Sequence, residues 1–199
     1  SMRQKYRDTK MILRLIYDIN SVIASMTRAL NILPLVARFI FLAVFAVYFW
    51  SSALTKLGDG VSGLFLPSAG AYIQIFPKTV ENYGYDVSQL SVFHWGVVMV
   101  GTYAEFILPA MIILGLMTRL SALGMLIFVV IQSLTDLYGH GLISDNKVLG
   151  AWFDRSADGI IFDQRVLWGF LLLYLFIYGA GKISLDGWIS SRVRTSEFN

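Results

Sequence analysis

Cysteine is absent from the 199 residues of the sequence. This excludes disulfides, dithiol redox chemistry, thiolate nucleophiles and cysteine-bound metals. Any redox role would therefore have to use a bound cofactor, a quinone or a partner chain. The only two histidines, His94 and His140, lack the spacing of a recognised metal motif. We therefore predict no metal site.

Charge is scarce as well, because 15% of the residues are charged and 56% are hydrophobic. Apolar runs of about 18 residues or more predict membrane-spanning helices. A transmembrane barrel would instead alternate apolar and polar residues, and these runs do not. The fold class predicted is an all-α membrane protein. The basic pI near 9.2 is attributed to membrane topology rather than to a nucleic-acid partner.

The apolar runs predict a bundle of four transmembrane helices over residues 35–190, with spans at about 35–57, 92–117, 120–137 and 166–180. An amphipathic interfacial helix is predicted before it, in residues 1–34, and a cytoplasmic tail after it, in residues 191–199. In the N-terminal segment, apolar residues recur every three or four positions from Ile12 to Met26, opposite polar residues such as Arg14 and Asp18. The stretch "SAGAYIQIF" in the first long loop predicts a further short interfacial helix.

The distribution of basic residues predicts the orientation of the bundle. Eleven Lys and Arg residues fall in segments predicted on one side of the membrane, and five fall on the other. Because cytoplasmic loops carry the excess of Lys and Arg, both termini are expected in the cytoplasm.

Glu105 lies inside one of the most apolar runs, where an ionisable group costs at least about 2.5 kcal/mol and normally faces a partner inside the bundle. His94, Thr102 and Glu105 share one face of the predicted second span. They are expected to form a polar stripe. The partner of Glu105 is expected on the first or third span, with Ser52, Gln132 and Lys56 as the candidates.

Several polar or aromatic residues are predicted at the outer ends of the four spans, about three turns above Glu105. They would form the rim of an outward-opening pocket with Glu105 near its floor. The candidate ligand-binding or polar-core residues are Glu105, His94, Lys56, Asp136, His140, Gln132, Arg165 and Trp95.

Structural roles compete with functional ones at each of these positions. Glu105 would be either a structural tie between helices or a ligand and proton group. Lys56, Asp136 and Arg165 would form rim ion pairs or extend to the headgroups unless they take part in chemistry. Trp95 would anchor the chain at the interface or wall a site for a flat ligand.

Three segments, in order, resemble the DoxX family of small integral membrane proteins. They are "ARFIFLAVFAVYFWSSALTKL", "AEFILPAMIILGLMTRLSALGM" and "YGAGKISLDGW", and the resemblance covers about residues 35–190. It implies a multi-pass bundle in the bacterial plasma (inner) membrane. It also implies that the recurrent polar residues of the family are Arg38, Lys56, Glu105, Arg119, Ser184 and Asp186.

The resemblance further implies a membrane subunit or anchor of a redox complex, since family members are linked to a thiosulfate:quinone oxidoreductase and to a thiol-stress complex. Quinone is the cofactor class implied, and soluble oxidoreductase subunits are the partners. Whether the chain is itself an enzyme, and which residues would be catalytic, stays open. The alternatives are a non-enzymatic scaffold and a protein that binds or transports a small lipophilic molecule. Proton-coupled transport would require a homodimer.

Overall fold

The computed structural model describes residues 2–30 and 32–196. Residues 1, 31 and 197–199, which fall within the predicted N-terminal helix and tail, lie outside the described residues. The chain divides into two compact units, Ser1–Leu33 and Pro34–Asn199. The described residues are helical with no sheet, and they confirm the predicted fold class.

The first unit consists of helix α1, Met2–Leu30. Its apolar side chains follow the predicted spacing of three and four residues, and those from Met11 to Met26 are exposed. The hydroxyls of Ser21, Ser25 and Thr27 bond to carbonyls one turn earlier in the same helix. This unit is therefore an amphipathic helix, as predicted.

The second unit contains four helices that are long and apolar enough to cross a membrane. They are α2 (Leu33–Lys56), α5 (Val92–Leu114), α6 (Thr118–Gly139) and α8 (Ile160–Tyr178). Shorter helices lie in the loops: α3 (Ala69–Ile75), α4 (Pro77–Asn82) and α7 (Asn146–Leu149). Helix α9 (Leu185–Ser196) closes the described chain. The helix predicted in "SAGAYIQIF" is α3.

Local widening of the helices changes where two spans begin and end. Wider π-helical turns occur at Leu42–Ala46 in α2, at Thr135–Gly139 in α6 and at Ile160–Arg165 in α8. Helix α8 begins at Ile160 rather than at about Val166. Asp163 accepts a hydrogen bond from the Gly159 N–H at 2.8 Å, so the polar run that looked like a loop forms the first turn of the helix.

The bundle core consists mainly of aromatic and aliphatic side chains from all four long helices. Phe41, Phe45 and Phe49 are buried and lie one turn apart along α2. The rings of Phe45 and Trp168 pack in a T-shaped arrangement with their centroids 4.9 Å apart. Helix α6 packs on α5 and α8, and α2 packs on α5. Dispersion and aromatic contacts of this kind hold helices together where no water is available to drive their burial.

One end of the bundle, here called the Arg38 end, is held by polar contacts to helix termini. The buried Arg38 donates to the carbonyls of Ile112 and Ile113 at the end of α5 and to those of Ala180 and Ile183 after α8. A cation beside the last carbonyls of a helix satisfies orphan acceptors and complements the helix dipole. The Arg38 side chain thus joins α2 to the end of α5 and to the segment that follows α8.

Two further residues cap helices at the Arg38 end. Asp186 accepts the N–H groups of Met117 and Thr118 at 2.7 and 2.9 Å, which caps the start of α6. Arg119 donates to the carbonyls of Phe176 and Ile177 in the last turn of α8. These contacts place a carboxylate at a helix N-terminus and a guanidinium at a helix C-terminus, as the helix dipole favours.

Candidate functional site

A buried ion pair joins α2 to the middle of α5. Lys56 Nζ lies 2.8 Å from Glu105 Oε2 and 3.1 Å from Oε1. Ser52 Oγ accepts from Lys56 Nζ at 2.7 Å and lies 3.2 Å from Glu105 Oε1. The residues Lys56 and Glu105 are only 5% and 2% exposed. Each charge therefore lies against its opposite and a hydroxyl, which is the condition for keeping charges away from water.

The end of α2 explains why Lys56 occupies this position. Lys56 is the last residue of the helix, and Leu57 after it is extended. A lysine in the last turn interacts favourably with the helix dipole. Six residues earlier, Trp50 Nε1 donates to the carbonyl of Phe106 at 3.2 Å and fixes this part of α2 against α5.

A cavity of about 640 Å³ opens beside the ion pair, between α5 and α6. Gln74 and Ile75 of α3 contribute to its wall. Most of the lining is apolar. Its polar side chains are Ser52, Lys56, Gln74, Glu105, Gln132, Thr135, Asp136 and His140. A lining of this kind suits a largely apolar ligand held by a few polar groups.

The end of the cavity farther from Glu105 along α6 carries a second group of polar residues and is here called the Arg165 end. Arg165 bonds to Asp136 at 2.7 Å and to Ser133 Oγ at 3.0 Å, and it lies 5.9 Å from the ring of Trp168. The imidazole of His140 lies 3.1 Å from the carbonyl of Gln74. The cavity is therefore polar at two separated places, with apolar walls between them.

Gln132 lies on the wall between these two places. Its Nε2 donates to the Tyr48 hydroxyl at 3.0 Å, whereas its Oε1 is buried and finds no hydrogen-bond partner among the described residues. A buried acceptor without a donor costs free energy. It marks a point of the wall that a ligand donor would satisfy.

The structure gathers five of the eight candidate residues around the cavity. Glu105, Lys56, Gln132, Asp136 and His140 line it. Arg165 does not line it and reaches it through Asp136.

The remaining two candidates, His94 and Trp95, point elsewhere. His94 bonds to Ser91 in a capping box at the start of α5, and Trp95 Nε1 donates to the carbonyl of Phe65 at 2.9 Å. Thr102 is buried and returns its hydroxyl to the Val98 carbonyl. His94 and Thr102 therefore do not line the cavity with Glu105, and the predicted position of His94 on the rim of the pocket is wrong.

Two predictions about neighbours of Glu105 have mixed outcomes. Lys56 and Ser52 are its partners, as predicted, whereas Gln132 bonds to Tyr48 instead. The expected position of Lys56 on an outer rim, three turns from Glu105, is wrong. Helix α2 ends at the ion pair and does not continue to the level of the Arg165 end.

The sequence predictions did not include α3 or the glycines of α5 among the residues that line the cavity. A Cβ at Gly96 would meet nothing within 4 Å, and one at Gly101 would lie 3.8 Å from Ile75. Both glycines line the cavity and leave it room. The glycines of the second span were the available signal. Among the described residues, no three His, Asp or Glu side chains gather where they could hold a metal ion.

Residues 33–135 match the model of the DoxX family, over just more than half of the chain. The chain belongs to the DoxX family. The matched DoxX region runs from the start of α2 into the end of α6 and includes Arg38, Lys56, Glu105 and Arg119. Ser184 and Asp186 follow the matched region. No curated protein and no solved structure matches this DoxX chain.

Proposed function

We propose that this DoxX protein is a membrane subunit of a redox complex that binds a quinone-class ligand in the cavity between α5 and α6. The observation that carries the proposal is the lining of the cavity, with apolar walls between the Lys56–Glu105 pair and the Asp136–His140 group. A quinone carries an apolar ring and tail and two carbonyls on opposite sides. Polar groups at two separated places match that pattern.

The polar groups supply hydrogen bonding and proton transfer, and the electrons come from elsewhere. Reduction of a quinone to a quinol takes two electrons and two protons, and a proton donor near each carbonyl assists it. Asp136, His140 and the Lys56–Glu105 pair are the titratable groups of the wall. Because the chain has no cysteine, the electrons would enter from a soluble oxidoreductase subunit.

A second function is supported by the hydrogen bonds within the ion pair. Lys56, Glu105 and Ser52 satisfy one another without a ligand. This favours a structural tie, and the cavity would then hold a lipophilic molecule that undergoes no chemistry. The chain would be a non-enzymatic scaffold or carrier.

The orientation proposed places the Arg38 end and both termini in the cytoplasm, and the Arg165 end outside. The support is the distribution of eleven against five basic residues and the positive-inside rule. The membrane proposed is the bacterial plasma membrane. In this orientation the Asp136–His140 group of the cavity lies toward the outer side of the membrane.

A cavity-filling variant tests ligand binding without disturbing the ion pair. Gly96→Leu places a side chain in open space of the cavity. Ala43→Leu is the matched control, because Ala43 is exposed on α2 and does not line the cavity. In lipid nanodiscs, a short-chain quinone should bind saturably to the wild-type chain and about tenfold or more weakly to Gly96→Leu.

The control and a competitor separate the two functions. Ala43→Leu should bind the quinone with the Kd of the wild type. Equal Kd values for Gly96→Leu and the wild type would remove the ligand from this cavity. An alcohol with the same alkyl tail that competes as well as the quinone would favour the lipophile carrier.

A further inference from the structure

The first membrane helix ends well inside the bundle. Lys56 is its last residue, and the Lys56 side chain meets Glu105 at 2.8 Å. At about 1.5 Å per residue, Glu105 lies about 20 Å along α5 from its first residue, Val92. The Lys56 side chain turns back along α2 to Ser52, so α2 ends about one turn nearer the start of α5 than Glu105, and still alongside that helix.

Helix α3 starts at the same level and runs back toward the start of α5. Ser68, which caps α3, donates its N–H to the Lys56 carbonyl and its hydroxyl to the Thr55 carbonyl, both at 2.9 Å. At the other end of α3, the ring of Phe76 meets the ring of His94 at 4.8 Å. Helix α2 thus lies beside the second half of α5, and α3 lies beside its first half.

The segment that joins them, residues 57–68, is fastened to the side of α5. Tyr103 donates its hydroxyl to the Leu64 carbonyl at 2.6 Å, and Trp95 donates its indole N–H to the Phe65 carbonyl. Tyr103 lies about 16 Å along α5 from Val92, and the hydrocarbon core of a bilayer is about 30 Å thick. The loop is therefore attached within the span.

The loop also folds tightly on itself. The Gly58 N–H lies within hydrogen-bond distance of the carbonyls of Gly63 and Leu66, and the Gly63 N–H reaches the Asp59 carbonyl. A Cβ at Gly63 would lie 1.9 Å from the Gly58 carbonyl oxygen, so only glycine permits this approach. Internal pairing of backbone groups is the condition for irregular chain at membrane depth.

The outer surface of this loop is apolar from Val61 to Leu66 except for Ser62, and the exposed Asp59 precedes that stretch. Val61, Phe65 and Leu66 are 82%, 65% and 60% exposed. Val92, which shares the face of α5 with Tyr103, is also exposed and apolar. Together they form one apolar surface that continues from a membrane span onto the loop.

We propose that residues 61–66 lie inside the bilayer, with Val61, Phe65 and Leu66 against lipid acyl chains, so that α2, this loop and α3 together make the first crossing. Broken crossings of this type bring helix ends to mid-membrane, where they surround polar groups. Here the end of α2 supplies Lys56, and α3 supplies Gln74 and Ile75 to the cavity. This proposal rests on membrane insertion and does not depend on quinone binding.

The absence of cysteine makes the chain a ready background for single-cysteine labels. Nitroxide labels at Val61→Cys and Phe65→Cys would be compared with Phe170→Cys, on the exposed face of α8 and away from the cavity, and with Asp154→Cys, in an exposed loop. In liposomes, collision rates with oxygen and with a water-soluble nickel chelate distinguish lipid from water. Because all four positions are exposed, the labels should leave the fold intact.

We expect the labels at Val61 and Phe65 to give the oxygen-to-nickel collision ratio of the Phe170 label, and the Asp154 label to give the ratio of a water-exposed site. Nickel collision rates at Val61 and Phe65 equal to that at Asp154 would place the loop in water and overturn the proposal. Loss of quinone binding in the cavity would leave this result unchanged, so the two proposals fail separately.

Discussion

The ion pair of Lys56 and Glu105 shows how an apolar bundle keeps two charges away from water. Each charge lies against the other, and Ser52 bonds to both. The desolvation cost of such a pair is high, so the pair is weak evidence for added stability. Removal of only one partner should destabilise the protein, because the other charge would remain buried without its opposite.

A double-mutant cycle separates the two effects. Lys56→Met leaves the Glu105 carboxylate unpaired and should lower the free energy of unfolding by about 3–5 kcal/mol. The double variant Lys56→Met, Glu105→Leu should recover most of that loss. Lys78→Met, at an exposed lysine, is the control. Thermal unfolding in detergent measures the wild type, the single variants Lys56→Met and Glu105→Leu, the double variant and the control, and a loss in the double variant equal to the sum of the single losses would contradict a coupled pair.

The residue types of this site could be predicted from the sequence, whereas their depth could not. A carboxylate in an apolar run needs a partner, and Lys56 and Ser52 were identifiable on the neighbouring span. The predicted depth of Lys56 was wrong because α2 was assumed to cross the whole membrane, which put Lys56 at the outer rim. Hydropathy does not reveal that a helix stops inside a bundle when the following loop is also apolar.

At the scale of helices, the connection between α5 and α6 depends on one glycine. Gly115 has a φ of 68°, and the N–H groups of Gly115 and Leu116 return to the carbonyls of Ile112 and Met111. A Cβ on Gly115 would lie 2.5 Å from Cβ of Ser184 and 2.9 Å from Cζ of Arg38. Both backbone conformation and packing therefore require glycine.

Two glycine-to-alanine changes on or beside the same helix should act in opposite directions. Gly115→Ala should destabilise the bundle, because it adds backbone strain of about 1 kcal/mol or more and pushes Arg38 from its carbonyls. Gly96→Ala, in a helical conformation facing open space, should be neutral or stabilising by up to about 1 kcal/mol. Unfolding in detergent checks both, and an unaffected Gly115→Ala would mean that the Arg38 end adapts at no cost.

The long helices were predictable because four apolar runs of sufficient length fix their number and order. Their ends were less so. The start of α8 depends on the bond from Gly159 to Asp163, and the cap of α6 comes from Asp186, far along the chain. The cap of α6 is supplied across 69 residues, so it leaves no local pattern. The π-helical turns in α2 and α6 have no sequence signal that we recognise.

At the scale of the whole molecule, an even number of crossings puts both ends of the second unit on one side of the membrane. The basic residues of the Arg38 end and of the tail then face the cytoplasm under the proposed orientation. Arg38 and Arg119 also hold helix carbonyls. Their contribution to topology and their contribution to packing come from the same side chains.

Reporter fusions test this orientation. A green fluorescent protein fused at the C-terminus should fluoresce, because it folds in the cytoplasm. Alkaline phosphatase fused after Asp154, in the loop between α6 and α8, should be active, because it folds outside. A dark C-terminal fusion together with an inactive phosphatase fusion, each made at normal levels, would reverse the orientation.

The contacts of Arg38 also set an order of events during synthesis. Two of its four acceptor carbonyls belong to Ala180 and Ile183, the latter 145 residues later in the chain. At about 5–20 residues per second, they are made about 7–30 s after Arg38 leaves the ribosome. Until then the guanidinium cannot be fully paired in its final position. The full set of Arg38 contacts therefore forms only after the last segment of the chain has been made, and that segment completes the Arg38 end of the bundle.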